Sequence, residues 1–333
     1  MESSDINLNA PRTIAAMSEV LDRHIQTVVC IPTFRRPQHL RLTLDSLVRQ
    51  RTSRGFAVVI VENEATAREG AAVATGFLAA GSLSGVCIVE PRQGNCYAIN
   101  AAFETARANF ASATSFLMID DDEVASADWL ERMVSAAETT GADIIGGPVI
   151  PKFADEIWNR LGHHPAFAPA YDSSGPVPII YGCGNCLITR TVFEKLEDPA
   201  FDQRFNFLGG GDLDFFARSR RAGMTFHWVA DAVIRETVPA SRTQLSWLVL
   251  RSLRIGAINY LVESKASQTP WLRARLLAKV LALFPLSLYR AARLYLRERQ
   301  AIIAMHPIVV AAGSALAAIG IEPQPYKASK IVS

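Results

Sequence analysis

Four acidic residues, Asp120–Glu123, follow directly after the apolar run SFLMI at residues 115–119. Adjacent carboxylates repel one another, so their position at the end of a predicted buried strand is unfavourable unless a cation neutralises them. Ligands that are all oxygen suit Mg²⁺ or Mn²⁺, and these ions commonly bridge to phosphates. The run therefore predicts a metal site. The structural alternative is an acidic loop in which Asp128 caps the helix that begins at Trp129.

Three more apolar runs precede the acidic one, and helical patterns lie between them. The runs are TVVCIP at 27–32, FAVVIVEN at 56–63 and GVCIVEP at 85–91, and the helical patterns cover 37–50 and 94–110. Strands that alternate with helices predict an α/β fold with a mostly parallel central sheet flanked by helices. Ligands of such sheets bind beyond the carboxyl ends of the strands. Polar groups follow all of these runs at that edge: Thr33–Arg36, Glu62–Asn63, Arg92 and the acidic run.

The composition is that of a large folded chain. Of its 333 residues, 50% are hydrophobic and 20% are charged, which fits one large α/β domain plus an appendage. The N-terminal residues MESSDINLNAPRT lack the basic, apolar and small-residue order of a signal peptide. Five cysteines, an odd number in mostly apolar surroundings, predict reduced thiols in a cytoplasmic compartment.

The charge is distributed unevenly along the chain. Residues 242–299 hold eleven Lys or Arg and two acidic residues, a net charge of +9, whereas residues 1–241 hold 21 basic and 29 acidic residues, a net charge of −8. This shift predicts a functional boundary near residue 240. We therefore expect an N-terminal extension at 1–24, an α/β domain at 25–241 and a basic, apolar helical region at 242–333.

The predicted C-terminal region interleaves arginines with leucines and aromatic residues at helical spacing. Its aromatic residues include Trp247, Trp271, Tyr289 and Tyr295. Such helices lie well on an anionic membrane. Residues 301–321 carry no charge and favour a spanning helix that only detergent would release, whereas His306 and Pro307 favour the alternative of an interfacial hairpin. Helices that simply pack on the rest of the protein are a further alternative. A nucleic-acid surface is not expected, because the arginines interrupt long apolar stretches.

Five sequence blocks lie in order between residues 25 and 240. They are CIPTFRRPQHLRLTLDSLVRQ, VIVENE, EPRQGNCYAINAAFETA, FLMIDDDEVASADWLERMV and GGGDLDFFARSRRAG. Together they resemble family 2 glycosyltransferases, especially the bacterial exopolysaccharide branch that includes succinoglycan-type enzymes. The resemblance implies a GT-A nucleotide-diphospho-sugar transferase fold, a nucleotide-diphosphate sugar donor, a divalent cation and inversion at the anomeric carbon.

The resemblance also implies a nucleotide pocket after the first strands. The family's Pro-x-aromatic turn matches Pro32, Thr33 and Phe34. Glu62 stands where the family has an acidic residue, more often Asp, that accepts a hydrogen bond from the base or ribose. Arg92 and Asn95 fall in the block that approaches the nucleotide, and an arginine there suits a phosphate or base contact. An ordinary turn and a surface arginine are the structural alternatives.

In the family's Asp-x-Asp signature, the two aspartates match Asp120 and Asp122. The resemblance implies that Asp122 ligates Mn²⁺ or Mg²⁺ and that Asp120 contacts the ribose or a metal-bound water, while Asp121 is a spectator. Related enzymes often complete the metal site with a late histidine. Glu236 stands at that place here and is predicted to be a ligand or an acceptor contact, whereas His227 is predicted to be a core histidine.

The block GGGDLDFFAR resembles the family's Glu-Asp-x-Asp block with its trailing arginine. Asp212 aligns with the catalytic base, which takes the proton from the acceptor hydroxyl. Asp214 is predicted to hold the loop or Arg218. Gly211 replaces the first acid of the family's pair, and Gly210 with Gly211 would let the backbone approach the sugar closely. The alternative for Asp212 is an ordinary helix N-cap.

The segment Cys183-Gly184-Asn185-Cys186 has a spacing that suits redox or zinc chemistry. No partner pair of cysteines accompanies it, and the family has a glycine-rich strand here that faces the donor sugar and acceptor. Gly184 and Asn185 are therefore the predicted sugar or acceptor contacts, and the cysteines are predicted to be small core residues. The stretch 158–178 is predicted to be a long loop that carries acceptor specificity.

These features predict a metal-dependent inverting glycosyltransferase at the cytoplasmic face of the inner or plasma membrane. It would be peripheral or held by one C-terminal segment, and would extend a lipid-linked saccharide from a nucleotide-sugar, with UDP-sugar as the expected donor, in surface polysaccharide synthesis. A nucleotidyltransferase would need a glycine-rich basic loop after the first strand, and IPTFRRPQ contains no glycine. A non-catalytic membrane scaffold would not need Asp122 and Asp212 together.

Overall fold

The computed structural model describes residues 11–267 and 269–321. The predicted extension therefore lies outside the described residues up to residue 10, and so do residues 322–333 of the predicted C-terminal region. The chain folds into two compact units. The first contains residues 11–149, Ala170–Asn206 and Phe215–Glu236, and the second contains Ile150–Pro169, Phe207–Asp214 and residues 237–321.

The first unit is built on a nine-stranded sheet. Its strands are β1 (Thr13–Met17), β2 (Thr27–Thr33), β3 (Phe56–Glu62), β4 (Gly85–Val89), β5 (Ser115–Met118), β7 (Ile144–Gly146), β9 (Gly175–Val177), β10 (Cys186–Thr189) and β11 (Phe226–Trp228), in the spatial order β1-β4-β3-β2-β5-β10-β7-β11-β9. Two more strands, β6 (Glu123–Ala125) and β12 (Ile234–Val238), pair antiparallel with each other. Strand β8 spans Val149–Phe153.

The four predicted strands β2, β3, β4 and β5 are adjacent and parallel, which confirms the predicted core of the sheet. Every residue of β2 and β4 is buried, as expected for parallel strands covered on both faces. Outside this core the sheet is mixed. β1 pairs antiparallel with β4, β10 pairs antiparallel with both β5 and β7, and β11 runs parallel to β7 and antiparallel to β9. Strand β1 comes from the predicted N-terminal extension.

Six helices follow the strands in this part of the chain. They are α1 (Pro37–Val48), α2 (Glu69–Ala79), α3 (Asn95–Asn109), α4 (Trp129–Thr140), α5 (Arg190–Lys195) and α6 (Gly211–Arg221). In α1, Pro37 occupies the first turn, where its missing N–H is not needed, and Leu40, Leu44 and Leu47 bury one face at helical spacing. Cys183 and Cys186 are buried, as predicted for small core residues.

Three long helices dominate the second unit: α7 (Leu245–Ala266), α8 (Pro270–Glu298) and α9 (Ala301–Ala318). Helices α7 and α9 cross at two glycines. A Cβ on Gly256 would lie 2.0 Å from the Val310 carbonyl oxygen, and one on Gly313 would lie 2.0 Å from that of Leu253. The Ser314 hydroxyl donates to the Gly256 carbonyl oxygen at 2.9 Å. The two helix backbones are therefore in direct contact.

Ahead of these helices, the predicted loop 158–178 contains a 3₁₀ helix, Glu156–His163, and the short strand β9. His164 follows the 3₁₀ helix, is 1% exposed, and accepts a hydrogen bond from the Ala166 N–H at Nδ1. Its ring lies 5.0 Å from that of His306. Burial lowers the pKa of His164 to about 4, so the folded protein holds this ring neutral.

His164 makes the free energy of unfolding depend on pH. The His164 ring takes up a proton near the ordinary pKa of about 6.5 in the unfolded chain, but only near 4 in the folded chain. The contribution of His164 to the free energy of unfolding is therefore complete above about pH 6.5 and is lost as the pH falls towards 4. We expect His164→Asn, which keeps an acceptor for Ala166, to flatten the fall in the thermal midpoint between pH 7 and pH 5. If the thermal midpoint falls equally steeply with pH in the original protein and in His164→Asn, His164 is not the source of the pH dependence.

Candidate active site

The acidic run lies at the carboxyl end of β5, against the loop that follows β2. The Asp121 carboxylate, 5% exposed, accepts hydrogen bonds from the Thr33 hydroxyl at 2.8 Å and from the Phe34 N–H at 3.2 Å. Arg36 donates to Asp122 at 2.6 Å and to Asp121 at 3.2 Å. The two strand ends thus converge as predicted. Asp121, predicted to be a spectator, joins them.

The Asp128 side chain does not cap helix α4, which was the structural alternative for the acidic run. Asp128 occupies the N-cap position of α4, but its carboxylate makes no capping hydrogen bond. It accepts two hydrogen bonds from Arg51, at 2.9 Å each. Helix capping by Asp128 therefore does not explain why the carboxylates of Asp120–Glu123 are crowded together.

Three further carboxylates repel one another at this edge. The Glu123 side chain is 3% exposed and accepts from the Asp120 N–H at 2.8 Å. Glu236 lies directly opposite Glu123 in the β6–β12 pair. Burial, then the charges of Asp122, Asp121 and Glu236, raise the pKa of Asp120 to about 8. Burial and Asp120 likewise raise the pKa of Glu123 well above its ordinary value.

A divalent cation fits these residues. Their donor set is all oxygen, and the pKa of Asp120 is raised first by burial and then by the neighbouring carboxylates, both of which a cation would offset. Within residues 11–267 and 269–321, no group of three or more His, Cys, Asp or Glu side chains is arranged to hold a metal ion by itself. Mg²⁺ and related ions are often held by one or two carboxylates together with substrate phosphates. Asp120 and Asp122 suit that mode of binding.

Gly184 lies directly against this cluster. A Cβ at this position would come 2.5 Å from Glu123 Oε1 and 3.0 Å from Asp120 Oδ2. Asn185 has a different place: it is 3% exposed, accepts from the Trp129 indole N–H at 2.8 Å, and donates to two backbone carbonyl oxygens, those of Pro148 and Ala232. The Asn185 side chain therefore ties together the backbone around the site, and its predicted sugar contact stays a prediction.

Gly184→Ala should damage the cluster without unfolding the protein. The added methyl group cannot fit at 2.5 Å from Glu123, so Asp120 or Glu123 must move. We expect Mn²⁺-dependent binding of a nucleotide-sugar to weaken at least about ten-fold, since misplacement by 1 Å commonly has effects of this size or larger. Calorimetric titration measures this. Gly76→Ala is the matched control, because a Cβ there, on the exposed side of α2, meets nothing within 4 Å.

Glu62, predicted to contact the base or ribose, already has protein partners. Glu62 is 0% exposed, and its two oxygens accept from the Glu64 and Ala71 N–H groups at 2.8 and 3.1 Å, which anchors the start of α2. Burial raises the pKa of Glu62 above its ordinary value. A nucleotide contact by Glu62 would require an exchange of these partners and stays a prediction. Asn95, the first residue of α3, is exposed.

Arg92 is held in place by two neighbours. It donates to both oxygens of the buried Glu90, from Nε and Nη2 at 2.8 Å each, and its guanidinium lies 4.7 Å from the centre of the Tyr97 ring. Its side chain is 30% exposed. Arg92 is therefore oriented by the protein before any ligand binds, and its predicted phosphate or base contact stays a prediction.

Two asparagines shape this edge: Asn63, one of the polar residues predicted at the strand ends, and Asn206, which no sequence pattern indicated. Asn63 donates to the Glu90 and Arg92 carbonyl oxygens and accepts from the Gly94 N–H, at 2.8 to 2.9 Å. Asn206 accepts from the Cys96 N–H at 2.8 Å, at the start of α3, and a Cβ on Gly94 would lie 2.5 Å from its oxygen. The Asn206 contact joins residues 110 apart, so no local pattern could have indicated it.

The predicted catalytic base lies in the second unit. Asp212 is the second residue of α6, and Gly209 and Gly210 before it have φ values of 82° and 90°, which favour glycine. Asp214 is 0% exposed and accepts from Lys265 Nζ with both carboxylate oxygens, at 2.9 and 3.0 Å. Arg218 donates to the backbone carbonyl oxygens of Asp198 and Ala200.

Comparison with known proteins identifies the family. The sequence model described as Glycosyl transferase family 2 matches residues 28–197, just over half of the chain. The chain is also 30% identical, over 237 residues, to the succinoglycan biosynthesis protein ExoM of Rhizobium meliloti (strain 1021), which covers 70% of this chain and 73% of that protein. This chain belongs to glycosyltransferase family 2. It is a glycosyltransferase, and the predicted family is confirmed.

Solved glycosyltransferase structures share the fold of this family 2 member. The mannosyltransferase PcManGT from Pyrobaculum calidifontis, in complex with GDP-Man and Mn²⁺, matches with a TM-score of 0.56 at 18% identity, over 92% of this chain and 91% of that one. S. aureus TarS 1–349, in complex with UDP, matches with a TM-score of 0.51 at 11% identity, over 89% of this chain and 90% of that one. The predicted GT-A fold class is thereby confirmed.

Proposed function

We propose that this chain is a metal-dependent, inverting glycosyltransferase that moves a sugar from a nucleotide-diphosphate donor, with UDP-sugar expected, to a lipid-linked saccharide in surface polysaccharide synthesis. The observation that carries this proposal is the group of mutually repelling carboxylates at the carboxyl end of β5, with Gly184 directly against it. The relative in succinoglycan biosynthesis and the fold relatives solved with UDP, or with GDP-Man and Mn²⁺, support it.

Each acidic group has a separate task in the proposed reaction. A divalent cation held by Asp122 and Asp120, with Glu236 as a further ligand or acceptor contact, would neutralise the donor diphosphate as the glycosidic bond breaks. Arg36 and Thr33 hold Asp122 and Asp121 in place before the donor arrives. Asp212 takes the proton from the acceptor hydroxyl, whose oxygen attacks the anomeric carbon opposite the leaving nucleotide and so inverts it.

The test is a thermal-stability panel of UDP-glucose, UDP-galactose, UDP-GlcNAc and GDP-mannose, each with Mn²⁺ and with EDTA. We expect at least one donor to raise the melting temperature with Mn²⁺ and to have little effect with EDTA. Stabilisation by ATP or GTP alone, together with pyrophosphate release, would instead favour the nucleotidyltransferase alternative. Stabilisation that EDTA leaves unchanged would contradict the metal dependence.

Helix α8 supports the proposed attachment to an anionic membrane. Its buried stripe is narrow and consists of Leu276, Val280, Ser287 and Ala291. A second stripe at helical spacing is apolar but exposed, and includes Leu277, Leu281, Phe284, Leu288 and Tyr295. Arginines occupy much of the opposite side: Arg275, Arg290, Arg293 and Arg297. An uncovered apolar face on a basic helix is typical of helices that lie in the membrane interface.

Helix α9 supports interfacial attachment rather than a membrane span. Among the helices of the described residues, Ala301–Ala318 alone is long and apolar enough to cross a membrane by length and composition, with a mean hydropathy of 1.9. Yet only Ala301 and Met305 of these residues are exposed, and α7 contacts α9 through the backbone at Gly256 and Gly313. The helix is 39% buried, so packing within the protein accounts for part of its apolar character. We therefore infer a peripheral protein at the cytoplasmic membrane face, with α8 on the lipid.

Leu281→Glu combined with Leu288→Glu should detach the protein from membranes. These side chains are 71% and 61% exposed, so the change leaves the core intact but places charge where α8 would enter the lipid. In flotation with phosphatidylglycerol vesicles we expect at least about ten-fold weaker binding, because each buried leucine contributes roughly 1.5–3 kcal/mol. Alkaline carbonate should release the unaltered protein. Leu42→Glu, at an exposed leucine of α1, is the control.

Two results would overturn this attachment. Protein that stays in the membrane through carbonate and leaves only in detergent would favour a spanning α9. A double variant that binds vesicles normally, but changes from dimer to monomer in light scattering, would make the apolar face of α8 a contact between two copies of the chain.

A further inference from the structure

Helix α7 makes an ion pair with the segment that carries the proposed base. Lys265, in the last turn of α7, donates to both oxygens of Asp214 at 2.9 and 3.0 Å. Asp214 is 0% exposed, whereas the Lys265 side chain is 27% exposed. Removing one partner of a buried ion pair is strongly destabilising, because the buried charge loses the stabilisation which that partner supplied. Lys265 therefore helps to hold the Asp214 carboxylate in place.

A second contact joins the same two segments. A Cβ on Gly210 would come 2.3 Å from Cγ2 of Ile258, a residue of α7 that is 7% exposed. Gly210 has a φ of 90°, so both its backbone conformation and its close approach to α7 require glycine. The Gly210 carbonyl oxygen accepts from the Asp214 N–H at 3.0 Å, which closes the first turn of α6.

These contacts come from one face of α7. Ile258 and Lys265 are seven residues apart, two helical turns, and the buried Val262 lies between them on the same face. Asp212 is two residues from Gly210 and two from Asp214, so it lies between the two points that α7 holds. The first turn of α6 can therefore shift only if α7 shifts as well.

We propose that Lys265 is a positioning residue for catalysis: by holding Asp214, it fixes the turn from which Asp212 reaches the acceptor hydroxyl. This inference rests on the proposed role of Asp212 as the base. It gives the basic C-terminal region a second task besides membrane attachment, because α7 then supports the reaction itself. A chain shortened after residue 241 would lack this support even with a soluble acceptor.

The experiment uses the full-length protein in detergent, with the nucleotide-sugar that the stability panel identifies and alkyl-linked mono- and disaccharides as acceptors. We expect Lys265→Met to lower kcat at least about ten-fold, while KM and Kd for the donor stay within about two-fold. Lys265→Arg, which keeps the charge, should recover most of kcat. Glu263→Gln is the control, because it removes an exposed ion pair, with Lys279, from the same helix.

A double variant keeps the test decisive if Lys265→Met alone fails to fold. Lys265→Met combined with Asp214→Asn removes both charges, and neutral replacements of a buried pair are often tolerated. We expect this protein to melt at a higher temperature than Lys265→Met and still to have a kcat at least about ten-fold below that of the original protein. A kcat equal to the original in a folded double variant would overturn the proposal, as would a loss confined to the melting temperature.

Asp212→Asn, assayed in the same series, separates this inference from the proposed function. If Asp212→Asn keeps full activity, Asp212 is not the catalytic base, and Lys265 then has no base to position. If Asp212→Asn is inactive while Lys265→Met turns over normally, the base assignment stands and only the role of Lys265 is wrong.

Discussion

Asp212→Asn should lower the rate of sugar transfer by roughly 10²–10⁴-fold, the usual scale for loss of a general base. The amide has nearly the shape of the carboxylate but cannot take the acceptor proton, so attack would have to proceed from a hydroxyl that keeps its proton. Donor binding should be nearly unchanged, because the proton is transferred in the chemical step. Single-turnover rates with a saturating donor, beside the donor Kd from calorimetry, measure both quantities.

Asp22→Asn is the matched control for this variant, because Asp22 is an exposed aspartate ahead of the amino end of β2, whereas the site lies at the carboxyl ends of the strands. We expect its transfer rate to equal that of the original protein. A fully active Asp212→Asn would show that another acid takes the proton. Asp214 would be a poor substitute, since both its oxygens already accept from Lys265 and its side chain is fully buried.

Asp122→Asn should remove the metal dependence of donor binding and reduce transfer by about 10²-fold or more. The substitution removes one negative charge from the acidic run, whereas Arg36, which donates to Asp122 at 2.6 Å, keeps Asp121 as a charged partner at 3.2 Å. A cation that neutralises a departing diphosphate contributes several kcal/mol, and each 1.36 kcal/mol corresponds to a factor of ten in rate. Calorimetric titration of the donor, with Mn²⁺ and with EDTA, measures the dependence.

The control for this second variant is Asp128→Asn, which removes a carboxylate from the same stretch of sequence. Asp128 pairs with Arg51 at the surface, so its loss should leave Mn²⁺-dependent binding unchanged. If Asp122→Asn still binds the donor more tightly with Mn²⁺ than with EDTA, by the same factor as the original protein, then Asp122 is not a metal ligand. Asp120 and Glu236 would then be the next candidates, since both face the buried Glu123.

The sequence by itself determined the parallel core of the sheet and the edge at which polar residues gather. Strands β2 to β5 are continuous apolar runs, so their composition predicts that they are buried. Their parallel order is predicted from the helices that lie between them. The acidic run stands out for a similar reason, because four adjacent carboxylates have no place at the end of a buried strand without a counter-charge. Both features depend on neighbours in sequence.

Only the tertiary structure decided which protein groups the predicted site residues contact. The sequence predicts ligand contacts for Glu62 and Asn185, and the structure adds that Glu62 anchors α2 and that Asn185 joins Trp129 to two backbone carbonyl oxygens. The tertiary structure also decided that Lys265, 51 residues beyond Asp214, is its partner. Side-chain hydrogen bonds and buried ion pairs depend on distances between atoms far apart in the chain, and neither periodicity nor composition carries those distances.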